Sequence, residues 1–275
     1  MDVIHTLLHS AIDYAGLFPP ASLDMTSAVR NYASYRNSDN AWALGRFIVT
    51  AARMPEFDAA AGDLTPPFPL SILTSPGAVP PDAAGVIEVK AASAADIAAT
   101  KKVLPDDVTA YFEIDITRDP SEMIAAVADT GARAKVRTGG ITPDLFPTAT
   151  DLARFIACCA RARVAFKATA GLHHPIRAMH KLTYEANSAS GVMHGFLNVF
   201  LASALLYAGG SEDDAVQTLE EQSPTAFQFD EHGAAWRGNR VNVQQIADAR
   251  RNLIVGFGSC SFEEPIADLH TMGLL

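Results

Sequence analysis

Four short segments of this chain carry ionisable residues at alternating positions, and their types suit covalent chemistry on a carbonyl group. In GVIEVK (85–90) Glu88 and Lys90 alternate with Ile87 and Val89; in TAYFEID (109–115) Tyr111, Glu113 and Asp115 alternate with Phe112 and Ile114. In RAKVRTGG (133–140) Lys135 and Arg137 flank Val136, and in VAFKATAG (164–171) Lys167 and Thr169 alternate with Phe166 and Ala168. Successive side chains of a strand point to opposite faces of its sheet. Each segment therefore presents one apolar face and one charged face.

Buried ionised groups are costly unless they pair, so the charged faces imply either an ion-pair network or a catalytic centre. A network would have Glu88 and Glu113 neutralise Lys90, Lys135 and Arg137. A catalytic centre would exploit the two lysines. Each ammonium disfavours the other's charge and desolvation acts in the same sense, so one of them is expected to be a free amine at neutral pH. A free amine adds to a carbonyl and forms a Schiff base.

The elements that would position these residues recur along the chain. Strand-like segments lie at 12–18, 45–51, 69–74, 85–90, 109–115, 133–140, 164–171 and 254–261, separated by Ala-rich helical stretches such as Ser93 to Val103, Pro120 to Ala128 and Asp151 to Ala162. Ser93 and Asp151 suit helix starts. Eight strands alternating with helices predict a single α/β domain over residues 1–275, a (β/α)8 TIM barrel. An open doubly wound sheet is the main rival, but no Gly-rich dinucleotide motif follows the first strand. In a barrel the apolar faces pack under the helices, and the charged faces converge at the C-terminal mouth.

One connection is too long for a helix and two loops. Residues 172–253, between the seventh and eighth strands, read as an insertion containing an apolar helix near 196–208, an acidic helix from Glu212 to Glu221, a β-hairpin over 227–238 turning at Glu231 to Gly233, and the helical run VNVQQIADARRN. It could close the site or join two copies of the chain as a homo-oligomer.

Three motifs resemble those of deoxyribose-phosphate aldolase and its class I aldolase relatives. They are Lys135-Val136-Arg137-Thr138-Gly139-Gly140, Phe166-Lys167-Ala168-Thr169-Ala170-Gly171 and Phe257-Gly258-Ser259-Cys260-Ser261, with the lysines 32 residues apart. The resemblance implies that Lys135 forms the Schiff base, that Lys167 lowers its pKa, and that Gly171, Ser259 and Cys260 bind the substrate's phosphate. It implies a carbon–carbon lyase that needs no cofactor, acting on a small carbonyl or hydroxy-carbonyl metabolite. The chain departs from the family on the fourth strand, where Glu88 and Lys90 stand in place of an aspartate. It departs again where His173 and His174 follow the seventh-strand glycine and Glu263 and Glu264 follow the eighth-strand motif, so that two carboxylates would crowd a phosphate dianion. Glu88 or Glu113 would move protons. Arg137 would hold an anionic group, with Lys90, Thr138, Gly139, His173 and His174 completing the substrate contacts.

Two other functions are consistent with the residues. His173 and His174, with Glu264, His180 or His194, could hold a metal in a lyase or hydrolase, provided the chain there is a loop, since neighbours on a strand diverge. A barrel that binds an anion or a partner without chemistry is the other. His194 and Asn198 share a helix face and could reach the mouth. Asp13 and Tyr14 end the first strand and could line it, with turn formation the default for that segment.

Composition bounds the rest. The formal charge is −10, which argues against nucleic acid as a partner. The N-terminus lacks a basic leader, and no run reaches the roughly 20 apolar residues of a membrane span. Three cysteines, Cys158, Cys159 and Cys260, have neither zinc-site spacing nor disulfide density, as expected of a cytoplasmic protein with a small-molecule substrate.

Overall fold

A computed structural model describes residues 2–62, 67–78 and 85–275. After a short helix α1 (Val3–Leu8), seven strands follow in order: β1 (Ile12–Tyr14), β2 (Leu44–Thr50), β3 (Leu70–Thr74), β4 (Val86–Lys90), β5 (Thr109–Ile114), β6 (Arg133–Arg137) and β7 (Phe166–Thr169). The decorated segment adds β8 (Ala178–Lys181), β9 (Ser190–Met193), β10 (Phe227–Asp230), β11 (Gly233–Trp236) and β12 (Asn239–Asn242), and β13 (Ile254–Ser259) closes the ring. The barrel order is β1-β13-β7-β6-β5-β4-β3-β2, with every pairing parallel. The chain is a closed eight-stranded α/β barrel, as the alternation of strands and helices predicts.

Helices α2 (Met25–Tyr35), α3 (Met54–Ala61), α4 (Ala94–Val103), α5 (Ser121–Asp129) and α6 (Ala149–Ala162) run between successive strands. The best-patterned is α6, whose Leu152, Phe155, Ile156 and Cys159 are buried at i, i+3, i+4 and i+7. Phe155 meets Phe166 of β7 edge-on, with ring centroids 5.2 Å apart. Thr148 caps this helix, its Oγ1 accepting from the Asp151 N–H at 3.1 Å, so Asp151 lies in the first turn, near the start as expected. Ser93 caps α4 as expected. All three cysteines are free and buried.

The apolar faces pack outward under these helices: Ile87, Val89, Phe112, Val136, Phe166 and Ala168 are all buried. Strand β1 is shorter than its segment because the register shifts between Ile12 and Tyr14 against β2. The Asp13 carboxylate fills the resulting gap by accepting from the Arg46 backbone N–H at 2.7 Å.

The decorated connection holds the antiparallel pair β8–β9, then α7 (Phe196–Tyr207), α8 (Glu212–Glu220), a three-stranded sheet β10-β11-β12, and α9 (Val243–Asn252). The hairpin at 227–238 is joined by a third strand where a helix was expected; helix α9 begins only at Val243, because Asn242 caps it reciprocally with Gln245. Helix α7 is buried over Phe196 to Leu205, wedged between β13 and α8. After β13 the chain ends in α10 (Glu263–Thr271). Among the described residues no helix is long and apolar enough to cross a membrane.

Candidate active site

The barrel interior holds a two-tier ionic centre built from residues on six strands. In the upper tier Lys135 Nζ lies 2.8 Å from Glu88 Oε2 and 2.9 Å from Glu113 Oε2. Arg137 stands at the rim, its Nε 3.7 Å from Glu113 Oε1. In the lower tier Lys167 Nζ donates to Asp13 Oδ2 at 2.8 Å and to Ser71 Oγ at 3.3 Å, and pairs with Glu88 Oε1. The Ser71 hydroxyl in turn donates to Glu88 Oε1 at 2.5 Å. Glu88 is thus shared by both lysines, one on each carboxylate oxygen.

The two amines do project into the same interior from adjacent strands, where Lys135 and Lys167 are register partners. The charge state of Lys167 follows from the carboxylates around it. Three carboxylates (Asp13, Glu88, Glu113) face three cations (Lys135, Lys167, Arg137). Burial opposes the Lys167 charge, but Asp13 and Glu88 outweigh it and raise the Lys167 pKa. The expectation that lysine–lysine repulsion frees one amine fails for Lys167, because Glu88 and Asp13 supply the opposing charge. The carboxyls answer in kind: burial alone would raise Glu88 and Glu113, yet the neighbouring ammonium groups hold both below the usual range.

Lys135 and Lys167 also differ in what they face. Above the upper tier is a cavity of about 290 Å³ whose wall includes Lys135, Glu88, Glu113 and Arg137, with His173 and Cys260 on the far side. Lys167 lies beneath it, its ammonium 5.0 Å from the centroid of the Tyr111 ring. Glu88 Oε2 makes no aligned hydrogen bond despite its 2.8 Å contact with Lys135. Lys135 is held between two carboxylates at the cavity wall, whereas Lys167 also donates to the Ser71 hydroxyl below it. Ile48, Leu73, Phe18, Pro19, Ile141 and Leu145 make the remaining wall largely apolar.

Several expected contacts fall elsewhere. Lys90 is exposed at the end of β4 and does not line the cavity. Thr138 is buried and ties the ends of two strands together, donating to Ala170 O at 2.6 Å. Gly139 and Gly171 pack against each other beside Phe146, and the wall there is formed instead by Gly140 and Ala170. Gly171 has φ +73° and a Cβ on it would lie 2.9 Å from Gly139 Cα. Gly171→Ala is expected to lower stability by about 1–3 kcal/mol, measured by denaturant unfolding. Ser259 points away from the cavity, its hydroxyl accepting from the Ser261 N–H at 3.3 Å.

The two histidines also part company. His173 Nδ1 is 3.0 Å from Glu264 Oε2, and His174 Nδ1 is 2.7 Å from Asp268 Oδ2. Their ring centroids are 6.4 Å apart, and only His173 reaches the barrel cavity; His174 stacks on His180 at 3.6 Å. Each engages its own carboxylate, one turn apart on α10, so the pair does not converge on one point. Among the described residues no group of three or more His, Cys, Asp or Glu is arranged to hold a metal ion. His194 and Asn198 do not reach the mouth: His194 Nε2 faces Pro147 O at 2.9 Å, and Asn198 donates to Thr218 O and Glu221 O at 2.8 Å each.

Burial opposes charge on His173, but its contacts with Cys260 and Glu264 prevail and push its pKa up to about 9. A raised histidine stabilises the fold fully below its ordinary value of 6.5, and that contribution is lost as the pH rises from there through about 9. The expected titration midpoint of His173 by NMR is near 9, returning toward 6.5 in Glu264→Gln.

Two residues of the centre stand out less in the sequence. Asp13 is the middle residue of the three-residue strand β1, yet in the sequence it looks like part of a turn. Ser71 is the lone hydroxyl among Leu70, Ile72 and Leu73, a signal that alternation alone could have supplied. No protein-family model, no curated protein and no solved structure matches the chain.

Proposed function

We propose that the protein is a Schiff-base carbon–carbon lyase of class I aldolase type, acting on a small anionic carbonyl or hydroxy-carbonyl compound. One observation carries this reading: of the two interior lysines, Lys135 alone opens onto the cavity, and it does so between two carboxylates. Active sites of barrels of this fold sit at that end of the strands.

The carboxylates have distinct parts. Glu88 is tied to Lys167 and Ser71 and remains the fixed anion. Glu113, with fewer ties, accepts the proton that Lys135 must lose before its nitrogen attacks the carbonyl carbon. The carbinolamine hydroxyl leaves as water on taking a proton back, and the cationic imine occupies the place of the ammonium it replaces. The same carboxylates that hold the ammonium therefore stabilise the iminium without rearrangement. Removal of the proton from a β-hydroxyl then lets the adjacent carbon–carbon bond break. Its electron pair passes into the iminium to give an enamine, which is protonated at carbon and hydrolysed from Lys135.

Arg137 and the protonated His173 place positive charge on opposite sides of the cavity mouth, which suits an anionic substrate. Glu263 and Glu264 occupy the first turn of α10, so a carboxylate is a better fit than a phosphate dianion beside them. The test is borohydride reduction in the presence of small aldehydes and 2-keto acids, followed by peptide mass spectrometry. A reduced adduct on Lys135 is expected; an adduct confined to surface lysines, or none across the panel, overturns the reading. Arg137→Gln is expected to raise KM for a keto acid about 10-fold or more with a smaller change for an uncharged aldehyde.

A further inference from the structure

The barrel interior opens at both ends. Beneath the Lys167 tier, at the N-terminal ends of the strands, lies a second cavity of about 310 Å³, separated from the first by the ionic centre. Its polar wall includes Ser10, Asp13, Arg46, Tyr111, Arg133 and Lys167, and Leu44, Pro69, Val86 and Val255 contribute apolar wall.

The charges on this floor do not balance. Asp13 is committed to Lys167 and to the Arg46 backbone N–H. Among the described residues neither Arg46 nor Arg133 has a carboxylate within salt-bridge distance. The Arg46 guanidinium donates to Leu70 O at 3.3 Å, and that of Arg133 to Tyr111 Oη at 2.8 Å while lying 5.6 Å from the centroid of its ring. A guanidinium has five N–H donors, so both retain most of theirs. Arg250 reaches the same end from α9 and is occupied by Ile254 O and His9 O. The chain has 31 acidic residues against 21 basic ones, so this concentration of half-buried, unpaired guanidinium in a concave site runs against its own composition. Paired forks of this kind match the oxygens of an oxyanion.

We propose that the N-terminal cavity of the barrel binds a small oxyanion, a carboxylate or a phosphate, between the guanidinium groups of Arg46 and Arg133. The site is independent of the Schiff-base reading, since neither arginine touches the cavity above. Tyr111 fixes Arg133 from one side, so the ligand meets a positioned fork rather than a mobile surface chain.

Thermal unfolding of the full chain tests the proposal, with sodium acetate and sodium phosphate titrated separately against chloride at constant ionic strength. With one of the two oxyanions the midpoint is expected to rise saturably, by about 5 °C at a hundredfold excess over Kd. Which of them acts identifies the source. The rise should vanish in Arg133→Gln and in Arg46→Gln, each compared with its own anion-free midpoint; the second variant loses only the contact to Leu70 and guards against misfolding of the first. A shift no larger than that of chloride, or one that persists in both variants, overturns the proposal. So does a shift that disappears in Arg137→Gln alone, which would place the anion at the opposite mouth.

Discussion

Lys135→Met is expected to eliminate the borohydride-trapped adduct and to lower lyase turnover by about 10⁴-fold or more, the scale at which removal of a covalent nucleophile acts. Methionine matches the length and much of the volume of the lysine, so the loss would be of the amine rather than of packing. Lys167→Met provides the contrast. Its ammonium bonds Asp13, Ser71 and Glu88 beneath the cavity wall, so an adduct should still form on Lys135, though more slowly, because Glu88 is then free to bind Lys135 more tightly. Quantitative trapping at saturating aldehyde separates the two cases. Retention of the adduct in Lys135→Met, with loss in Lys167→Met, would invert the assignment.

Glu88→Leu is expected to have the largest effect on stability. Glu88 is 2% exposed and, among the described residues, is the one carboxylate that ion-pairs with both lysines. Its removal leaves two ammonium groups buried against the remaining Asp13 and Glu113. Breaking a buried pair from one side costs about 3–5 kcal/mol, since the partner charge keeps its desolvation penalty. In a chain of this length that corresponds to a fall in melting temperature of about 10 °C. Guanidinium unfolding of the variant provides the check; a loss below about 1 kcal/mol would show the centre to be hydrated rather than buried. The double replacement Glu88→Leu with Lys167→Met should recover part of the loss, as expected for coupled neighbours.

The same pairing sets the response to acid. Glu88 and Glu113 titrate below their ordinary value of 4.5 in the folded chain, held there against burial by the ammonium groups. Carboxyls depressed in this way stabilise the fold fully above that ordinary value, and their contribution is lost as the pH falls below it. The stability of the protein should therefore decline below about pH 4.5, and much less steeply in Glu88→Leu. His173 acts in the opposite sense on the alkaline side, so the two groups bracket the range of greatest stability.

Much of the centre is legible in linear pattern. Period-2 alternation places Glu88, Glu113, Lys135 and Lys167 on the inward face, because a residue cannot change faces without a register slip that would expose Ile87, Phe112, Val136 and Phe166. Recurrence of strand and helix likewise requires a parallel sheet. The decorated segment is less legible: β12 has only four residues and leads directly into a capped helix, so its strand pattern is swallowed by the helical one. Lys90 shows the limit of alternation near a strand end, where the chain leaves the pleat.

Local order along the chain thus determines the barrel, the inward-facing charges and the apolar shell beneath the helices, since these depend on spacing within single strands. Only the tertiary structure decides which charges meet. Asp13 and Lys167 are 154 residues apart, and their contact arises because the closed sheet brings β1 and β7 to either side of β13. Closure also divides the two lysines into tiers. One is pinned from below by an aspartate that reads as a turn residue, and the other is left facing the cavity. A buried amine's charge depends on every group within a few ångströms, and the strand that carries it names only one or two of them.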